Sequence, residues 1–462
     1  MPQKDHYHLI GIGGIGMSAI AIALLEKGYS VSGSDIVENE LIRKLKTLGS
    51  YIFLIQQEKN ISFIKDKYYG KNIIIVISSA IKQSNQELKF CLKNNFTIKH
   101  RSEILSLLMS HYYSIGVAGT HGKTTTSTFL ATLLDLCTKN CSSILGGISP
   151  QYNSNANIKD SKYLVVEIDE SDRTTSNYET ELAIINNIDF DHCDQYTNLD
   201  EVICSFKSFA NKSKAILINK DCPTTKSNFN SIYTWSIKSK ENVSFSMIPK
   251  KFTKAGTIAD YYEKGCLIGE LNLPIPGLHN LSNFTAAFAA CRINKIPFVN
   301  IKENVKHIKL PKKRFEYRGS YLGRTIVDDY AHHPKEVQAT IQLSKLVIND
   351  DKSPHKKRLV VIFQPHRYTR VKEFANEFAS ELSNADLIVL TDIHSAGEKQ
   401  IKSINSELIG HKIIKKNKNL KYFKNNYEIQ KQFCDFTREN DFIVNMGAGD
   451  CHNLWDILTI NT

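Results

Sequence analysis

Twice in its first 126 residues the chain runs a short apolar strand into a glycine-rich turn and on into a helical pattern: HLIGIGGIGMSAIA at 8–21 and YSIGVAGTHGKTTT at 113–126. A strand that feeds a helix at its carboxyl end is half of a βαβ unit, and such units assemble into parallel sheets covered by helices on both faces. Glycine at the turn lets the backbone approach an anion closely, and the following helix points its first N–H groups at that anion. In the first turn Gly11, Gly13 and Gly16, with Gly14 and Ile15 between them, spell GxGxxG. Asp35 stands nineteen residues past Gly16, where an acidic side chain accepts a ribose hydroxyl. That geometry serves a nicotinamide dinucleotide and any other nucleoside diphosphate alike.

The second turn departs from GxxxxGK[ST], because Val117 stands where that spacing has its first glycine. What remains is Gly119, Thr120, His121, Gly122, Lys123, Thr124 and Thr125, between a strand and a helix. Backbone N–H groups of such a loop surround phosphate oxygens, Lys123 reaches the transferred phosphate, and the Thr124 hydroxyl ligates Mg²⁺. A catalytic Mg²⁺ also needs a carboxylate at the end of a neighbouring strand, and VVEIDESD supplies Glu167, Asp169, Glu170 and Asp172 where an apolar run stops. Spacing alone leaves open which of the four serves.

A chain of 462 residues has room for about three domains at ~150 residues each. The alternation of strand and helix patterns predicts an α/β protein of three domains. An N-terminal Rossmann-like domain is expected at 1–110. A central P-loop ATPase-like domain is expected at 111–313, with a mostly parallel sheet and a small antiparallel part over about 222–275. A C-terminal Rossmann-like domain is expected at 314–462, built on TIVDDYA, RLVVIFQ, ADLIVLTDI and DFIVNMGAG. RSEILSLLM at 101–109 reads as a helix and KKNKNLKYFKNN at 415–426 as a solvated basic face.

The net charge of +12 suits acidic small molecules, but it is spread along the whole chain. No helix-turn-helix spacing, aromatic RNA-binding signature or dense basic stripe accompanies it, so no nucleic-acid partner is expected. Ten cysteines without a CxxC pair read as reduced thiols. Apolar runs such as NIIIVISSAI at 72–81 fall short of the ~18 residues of a membrane helix. The charged start MPQKDHYH is no signal peptide, so a cytoplasmic protein without membrane insertion is expected.

Ten segments taken in order, GIGGIGMSA, GTHGKTTT, VVEIDESD, NIDFDHCDQY, GLHNLSNFTAA, KKRFE, DDYAHHPKE, FQPHRYTR, SAGE and NMGAGD, resemble the Mur ligase family of peptidoglycan synthesis over nearly the whole chain. The resemblance is strongest to members that join L-alanine to UDP-N-acetylmuramate. It implies that reaction here, driven by ATP through an acyl phosphate. The first loop would hold the diphosphate of the UDP-sugar, with no nicotinamide, and the second would hold ATP. By analogy Thr124, Glu167 and His192 surround Mg²⁺, with Mn²⁺ as an alternative, and Lys123 and Gly122 meet the ATP phosphates. Lys123, Glu167 and His192 form the implied catalytic group. His279, Asn280 and Asn283 match the segment that meets the adenine, although an Asn pair of this kind caps a helix equally well. Asp329 matches a position near the ATP ribose, and Tyr330, His332, Arg367 and Arg370 match positions that receive the amino acid.

His333 and His366 read as surface or packing histidines. Lys207, fifteen residues past His192, is the candidate for the carbamylated lysine of several family members, and an ordinary surface lysine is the simpler reading. Phe190 and Cys193 replace the alanine and methionine frequent in relatives, and Ser395 stands in an altered context before AGE. A monomer or homodimer is expected. The rival within the family attaches a ready-made peptide to the same sugar nucleotide; an oxidoreductase would have no use for GTHGKTTT.

Overall fold

The computed structural model describes residues 5–352 and 357–460, so the first four residues of the polar start and the last two of the C-terminal segment lie outside the described residues. Two compact units emerge. The first contains Met1–Ile188, Val202–Trp235 and Ala286–His307; the second contains Asp189–Glu201, Ser236–Thr285 and Ile308–Thr462.

In the first unit, β1 (His6–Ile10), β2 (Ser30–Ser34), β3 (Tyr51–Phe53), β4 (Ile73–Ile77) and β5 (Thr97–His100) form a parallel sheet in the order β3-β2-β1-β4-β5. The order reverses beside β1, and in such sheets ligands bind at the carboxyl ends of the strands at that reversal. The first glycine turn occupies this place. Its helix, Ile15–Glu26, buries an unbroken run from Met17 to Leu24, which is why the sequence there is apolar all round instead of amphipathic.

A second sheet of the first unit comprises β6 (Tyr113–Ala118), β7 (Cys141–Ser149), β8 (Ser154–Asn157), β9 (Tyr163–Glu167), β10 (Leu182–Ile185), β11 (Ile216–Asn219) and β12 (Tyr233–Ser236), in the order β12-β11-β10-β6-β9-β7-β8. All neighbouring pairs are parallel except β7 and β8. The antiparallel part therefore starts later than the sequence suggests. Residues 222–236 supply a helix, Pro223–Asn228, and the parallel strand β12.

The antiparallel meander proper is β13 (Phe245–Thr253), β14 (Gly256–Glu263) and β15 (Cys266–Leu273), in the second unit. That unit also holds β16 (Glu316–Tyr321), β17 (Arg324–Asp329), β18 (Leu359–Phe363), β19 (Leu387–Leu390), β20 (Leu420–Tyr422) and β21 (Phe442–Met446), in the order β16-β17-β21-β18-β19-β20. Only the β16–β17 pair is antiparallel among the described strands of this sheet. β18 and β21 are buried along their whole length, which explains their continuous apolar runs. The expected basic face at 415–426 contains the edge strand β20, whose exposed Lys421 is the kind of residue that guards an open edge against further pairing.

Candidate functional site

The first glycine turn is built by its neighbours. Gly11 and Ile12 donate to the Ser34 carbonyl at 2.8 and 3.1 Å, which pins the turn to the end of β2. Gly11 adopts φ +79°, a conformation that favours glycine. Asp35 accepts the Gly13 N–H at 2.8 Å and the Ile36 N–H at 2.7 Å, so this carboxylate braces the turn from within. A Cβ on Gly13 would stand 2.9 Å from Asp35 and Ile42, and one on Gly16 would stand 2.9 Å from the Arg101 guanidinium. Gly14 is the N-cap of the helix beginning at Ile15, and no side chain caps it.

In the second turn Gly119 (φ +146°) and Gly122 (φ +77°) take conformations that favour glycine. Two consecutive asparagines at the end of β10 hold the loop open. Thr120 N–H donates to the Asn187 carbonyl at 3.1 Å, His121 N–H donates to Asn187 Oδ1 at 2.8 Å, and Asn186 Nδ2 donates to Thr126 Oγ1 at 2.9 Å. Sequence reading missed this pair, whose signal is a polar doublet directly after a buried strand. Lys123 Nζ donates to the Gly119 carbonyl at 2.6 Å and to Glu170 Oε1 at 2.9 Å. Burial opposes its charge, but Glu170, Asp169 and Glu167 together hold its pKa above the usual lysine range. Thr120, Thr124 and Thr125 are buried around it.

The four acids of VVEIDESD divide cleanly. Asp169 and Asp172 both bind Arg101, at 2.9 and 2.6 Å from Nη2. Glu170 pairs with Lys123. Glu167, at the end of β9, accepts the Gly146 N–H at 2.9 Å and lies beside the Thr124 hydroxyl. Burial pushes its carboxyl up, against the pull of Lys123, Thr124 and the Gly146 N–H. A buried carboxylate next to a hydroxyl is a pair of hard oxygen donors, so Thr124 and Glu167 fit a magnesium ion.

The remaining site residues lie in the second unit. His192 has φ +52°, and its carbonyl accepts the Gln195 and Tyr196 N–H groups at 2.7 and 2.9 Å. The loop carrying it is tied by three ion pairs: Asp189 with Lys335, Asp191 with Arg370, and Asp194 with Arg367. Arg370 is buried and grips Asp191 through Nε at 2.9 Å and Nη2 at 3.1 Å, while its Nη1 donates to His366 Nδ1 at 3.0 Å. Burial raises the Asp191 carboxyl, but the guanidinium overrides this and holds it well below the carboxylate range. Arg367, at φ +69°, donates to Asp194 at 2.7 Å.

His332 donates from Nδ1 to the Tyr330 carbonyl at 2.8 Å, and burial lowers its pKa to about 4. Tyr330 stacks on His452 with centroids 6.0 Å apart, and the Arg314 guanidinium lies 5.1 Å from its ring centroid. Asp329 accepts the Phe315 and Ala331 N–H groups at 2.7 and 2.9 Å and the Thr340 hydroxyl at 3.0 Å. Its carboxylate is thus held by the segment around β17. His279 is lowered to about 4 by burial, with Arg314 adding to the effect. Asn280, in the first turn of the helix Leu278–Ile293, donates back to the Pro276 carbonyl ahead of the helix at 2.8 Å and is not its N-cap. Asn283 is buried.

His333 caps the helix Pro334–Asn349 in a reciprocal box with Glu336, and Lys207 donates to Asn228 at 3.2 Å. Phe190 meets Phe374 at 6.3 Å between centroids. No described helix is long and apolar enough to cross a membrane.

Three sequence models match in succession: the Mur ligase family catalytic domain at 6–113, the Mur ligase middle domain at 117–291 and the Mur ligase glutamate ligase domain at 313–449. A UDP-N-acetylmuramate--L-alanine ligase of Prochlorococcus marinus subsp. pastoris is 58% identical over 99% of this chain and 97% of its own length. A protein of the same name from a Synechococcus species is 41% identical over 99% and 95%. Among solved structures, UDP-N-acetylmuramate-alanine ligase MurC of Thermotoga maritima matches with a TM-score of 0.83 at 25% identity, over 99% of this chain and 98% of that one. A murein peptide ligase of Psychrobacter arcticus shares the fold with a TM-score of 0.72 at 20% identity, over 99% and 98%. With two glycine turns, each between a strand and a helix, and three consecutive domain matches along its length, the chain belongs to the Mur ligase family.

Proposed function

We propose that this Mur ligase joins L-alanine to the carboxylate of UDP-N-acetylmuramate at the expense of ATP, giving ADP, phosphate and UDP-N-acetylmuramoyl-L-alanine for peptidoglycan synthesis. The observation that carries the reading is the 58% identity, over 99% of the chain, to a relative named for that substrate and that amino acid. The division into 1–110, 111–313 and 314–462 is supported by the family matches, which change at 113–117 and 291–313.

Amide formation from a carboxylate is uphill in water, so the sugar carboxylate first accepts the γ-phosphoryl group and the neutral amine then displaces phosphate. Two anions meet in the first step. Lys123, buried and held charged by three acids, supplies the positive centre at the phosphate loop once it turns from Glu170 to the phosphate. Thr124 and Glu167, joined by His192, are the residues that would hold Mg²⁺ or Mn²⁺, which when bound neutralises charge on the phosphate oxygens. Gly119 to Thr125 cradle the triphosphate, His279, Asn280 and Asn283 receive the adenine, and Asp329 serves the ribose. Gly11 to Gly16 hold the diphosphate of the sugar nucleotide, and Asp35 accepts a ribose hydroxyl.

Tyr330, His332, Arg367 and Arg370 receive L-alanine. Because Arg370 already grips Asp191 with two nitrogens and Arg367 donates to Asp194, the amino-acid carboxylate must exchange with one of these aspartates. A monomer or homodimer without membrane insertion, working in the cytoplasm, fits this chemistry, whose substrates are all water-soluble.

Phosphate release from ATP and UDP-N-acetylmuramate is measured against alanine, serine, glycine and the stem tripeptide. Release that depends on L-alanine is expected; release with the peptide alone moves the protein to the recycling branch. Lys123→Ala is expected to lower turnover by about 100-fold or more. Unchanged turnover in that variant would remove Lys123 from the reaction.

A further inference from the structure

Arg101 is the first residue of the helix Arg101–Met109, where a cation opposes the helix dipole. The helix has no need of it, since His100 and Glu103 already form a capping box. The side chain is 15% exposed and is fully directed. Its Nε donates to Asp172 at 3.1 Å, and its Nη2 donates to Asp172 at 2.6 Å and to Asp169 at 2.9 Å. Its Nη1 has no hydrogen-bond partner among the described residues and lies against Gly16, 2.9 Å from where a Cβ would stand. Glycine at this position therefore seats the guanidinium over the uncapped start of the helix Ile15–Glu26.

Asp169 and Asp172 belong to the same six-residue stretch as Glu167 and Glu170, which face Thr124 and Lys123. One side chain thus touches both the turn read as the sugar-nucleotide site and the acid stretch that orders the phosphate loop. All of these residues lie in the first unit.

We propose that Arg101, clamped by Asp169 and Asp172, is a positioning residue that couples the two loops: Nη1 meets the diphosphate at the Gly16 turn, while Nε and Nη2 hold the acid stretch beside Lys123 and Glu167. This rests on the reading of the first turn as the sugar-nucleotide site. An anion arriving at Nη1 shares the guanidinium with the two aspartates and weakens or redirects their hold, which changes the field around Lys123. By linkage, occupancy of either loop alters affinity at the other by the same factor.

Calorimetric titration of a non-hydrolysable ATP analogue with Mg²⁺, with and without saturating UDP-N-acetylmuramate, reads this factor directly. The wild-type protein is expected to show a ratio of about five or more between the two dissociation constants. In Asp172→Asn, which keeps the acceptor for Thr174 but places an amide against Arg101, the ratio is expected to fall to about one. Arg101→Lys keeps the charge and loses the fork, so it should also lose the coupling. It decides the matter if Asp172→Asn does not fold. Equal coupling in wild type and variants, or none in the wild type, overturns the proposal. Failure of the wild type to bind UDP-N-acetylmuramate at all overturns the reading of the first loop instead.

Discussion

Gly146 has no conformational need to be glycine, since its φ is not positive, yet a Cβ there would overlap the Glu167 carboxylate. Gly146→Ala is therefore expected to displace Glu167 and lower kcat by about 100-fold while costing little stability, read by steady-state kinetics beside a thermal melt. Arg370 is the opposite case. Its removal leaves Asp191 charged and buried, so Arg370→Ala should cost about 3 kcal/mol or more in a denaturant titration, in addition to raising the KM for L-alanine. An unchanged KM would confine Arg370 to holding the His192 loop. The pH sign follows from the depressed Asp191 carboxyl: its stabilisation is complete above the ordinary aspartate value near 4 and disappears as pH falls through the lower folded value. Asp191→Asn should remove that part of the acid loss.

At the scale of elements, the N-terminal sheet carries a buried polar ladder that the sequence reading passed over. His6 Nε2 contacts Ser32 Oγ at 2.7 Å, His8 Nδ1 contacts the same hydroxyl at 2.7 Å, and His8 Nε2 contacts Glu87 Oε1 at 3.0 Å. Glu87 also accepts from Ser34 at 2.5 Å and Asn60 at 2.9 Å. If a neutral His8 donates to Glu87, its Nδ1 takes the single Ser32 proton, so His6 donates to Ser32 and accepts from Ser30. Every donor then has one acceptor. Glu87→Ala would strand several of these groups at once and is expected to cost about 3 kcal/mol in denaturant unfolding. Burial lowers His6 to about 3, so the folded state resists its protonation. Stability from this group is whole above the ordinary histidine value near 6.5 and falls as pH drops from there toward 3. A urea midpoint that stays flat across that window in wild type, after subtraction of a His6→Ala series, would contradict it.

At the scale of the molecule, the compact units cut across the linear segments. Asp189–Glu201 and the meander β13–β15 precede residue 313 in sequence yet belong to the unit containing Ile308–Thr462. A fragment ending at 313 therefore lacks Lys335, Arg367 and Arg370, the partners of Asp189, Asp194 and Asp191. It is expected to show a frayed, protease-sensitive 189–201 segment by limited proteolysis, even if the two sheets of the first unit persist. Protection of that segment equal to the full chain would show that the ion pairs are dispensable for its order.

The α/β class, the strand–turn–helix at both loops, the helix 101–109 and the membership of the family were legible in the sequence, because each depends on near-neighbour periodicity or on residues contiguous in a motif. The start of the antiparallel part was misplaced, since β12 is too short for its pairing partner to be read from local pattern. Partnership was beyond it. Four acids within six residues look equivalent on paper, and only long-range packing sends two to Arg101, one to Lys123 and one to Thr124. The chain order sets which charges exist; tertiary contact sets which of them meet, because the energy of an ion pair depends on separation and desolvation, and neither is a property of sequence spacing.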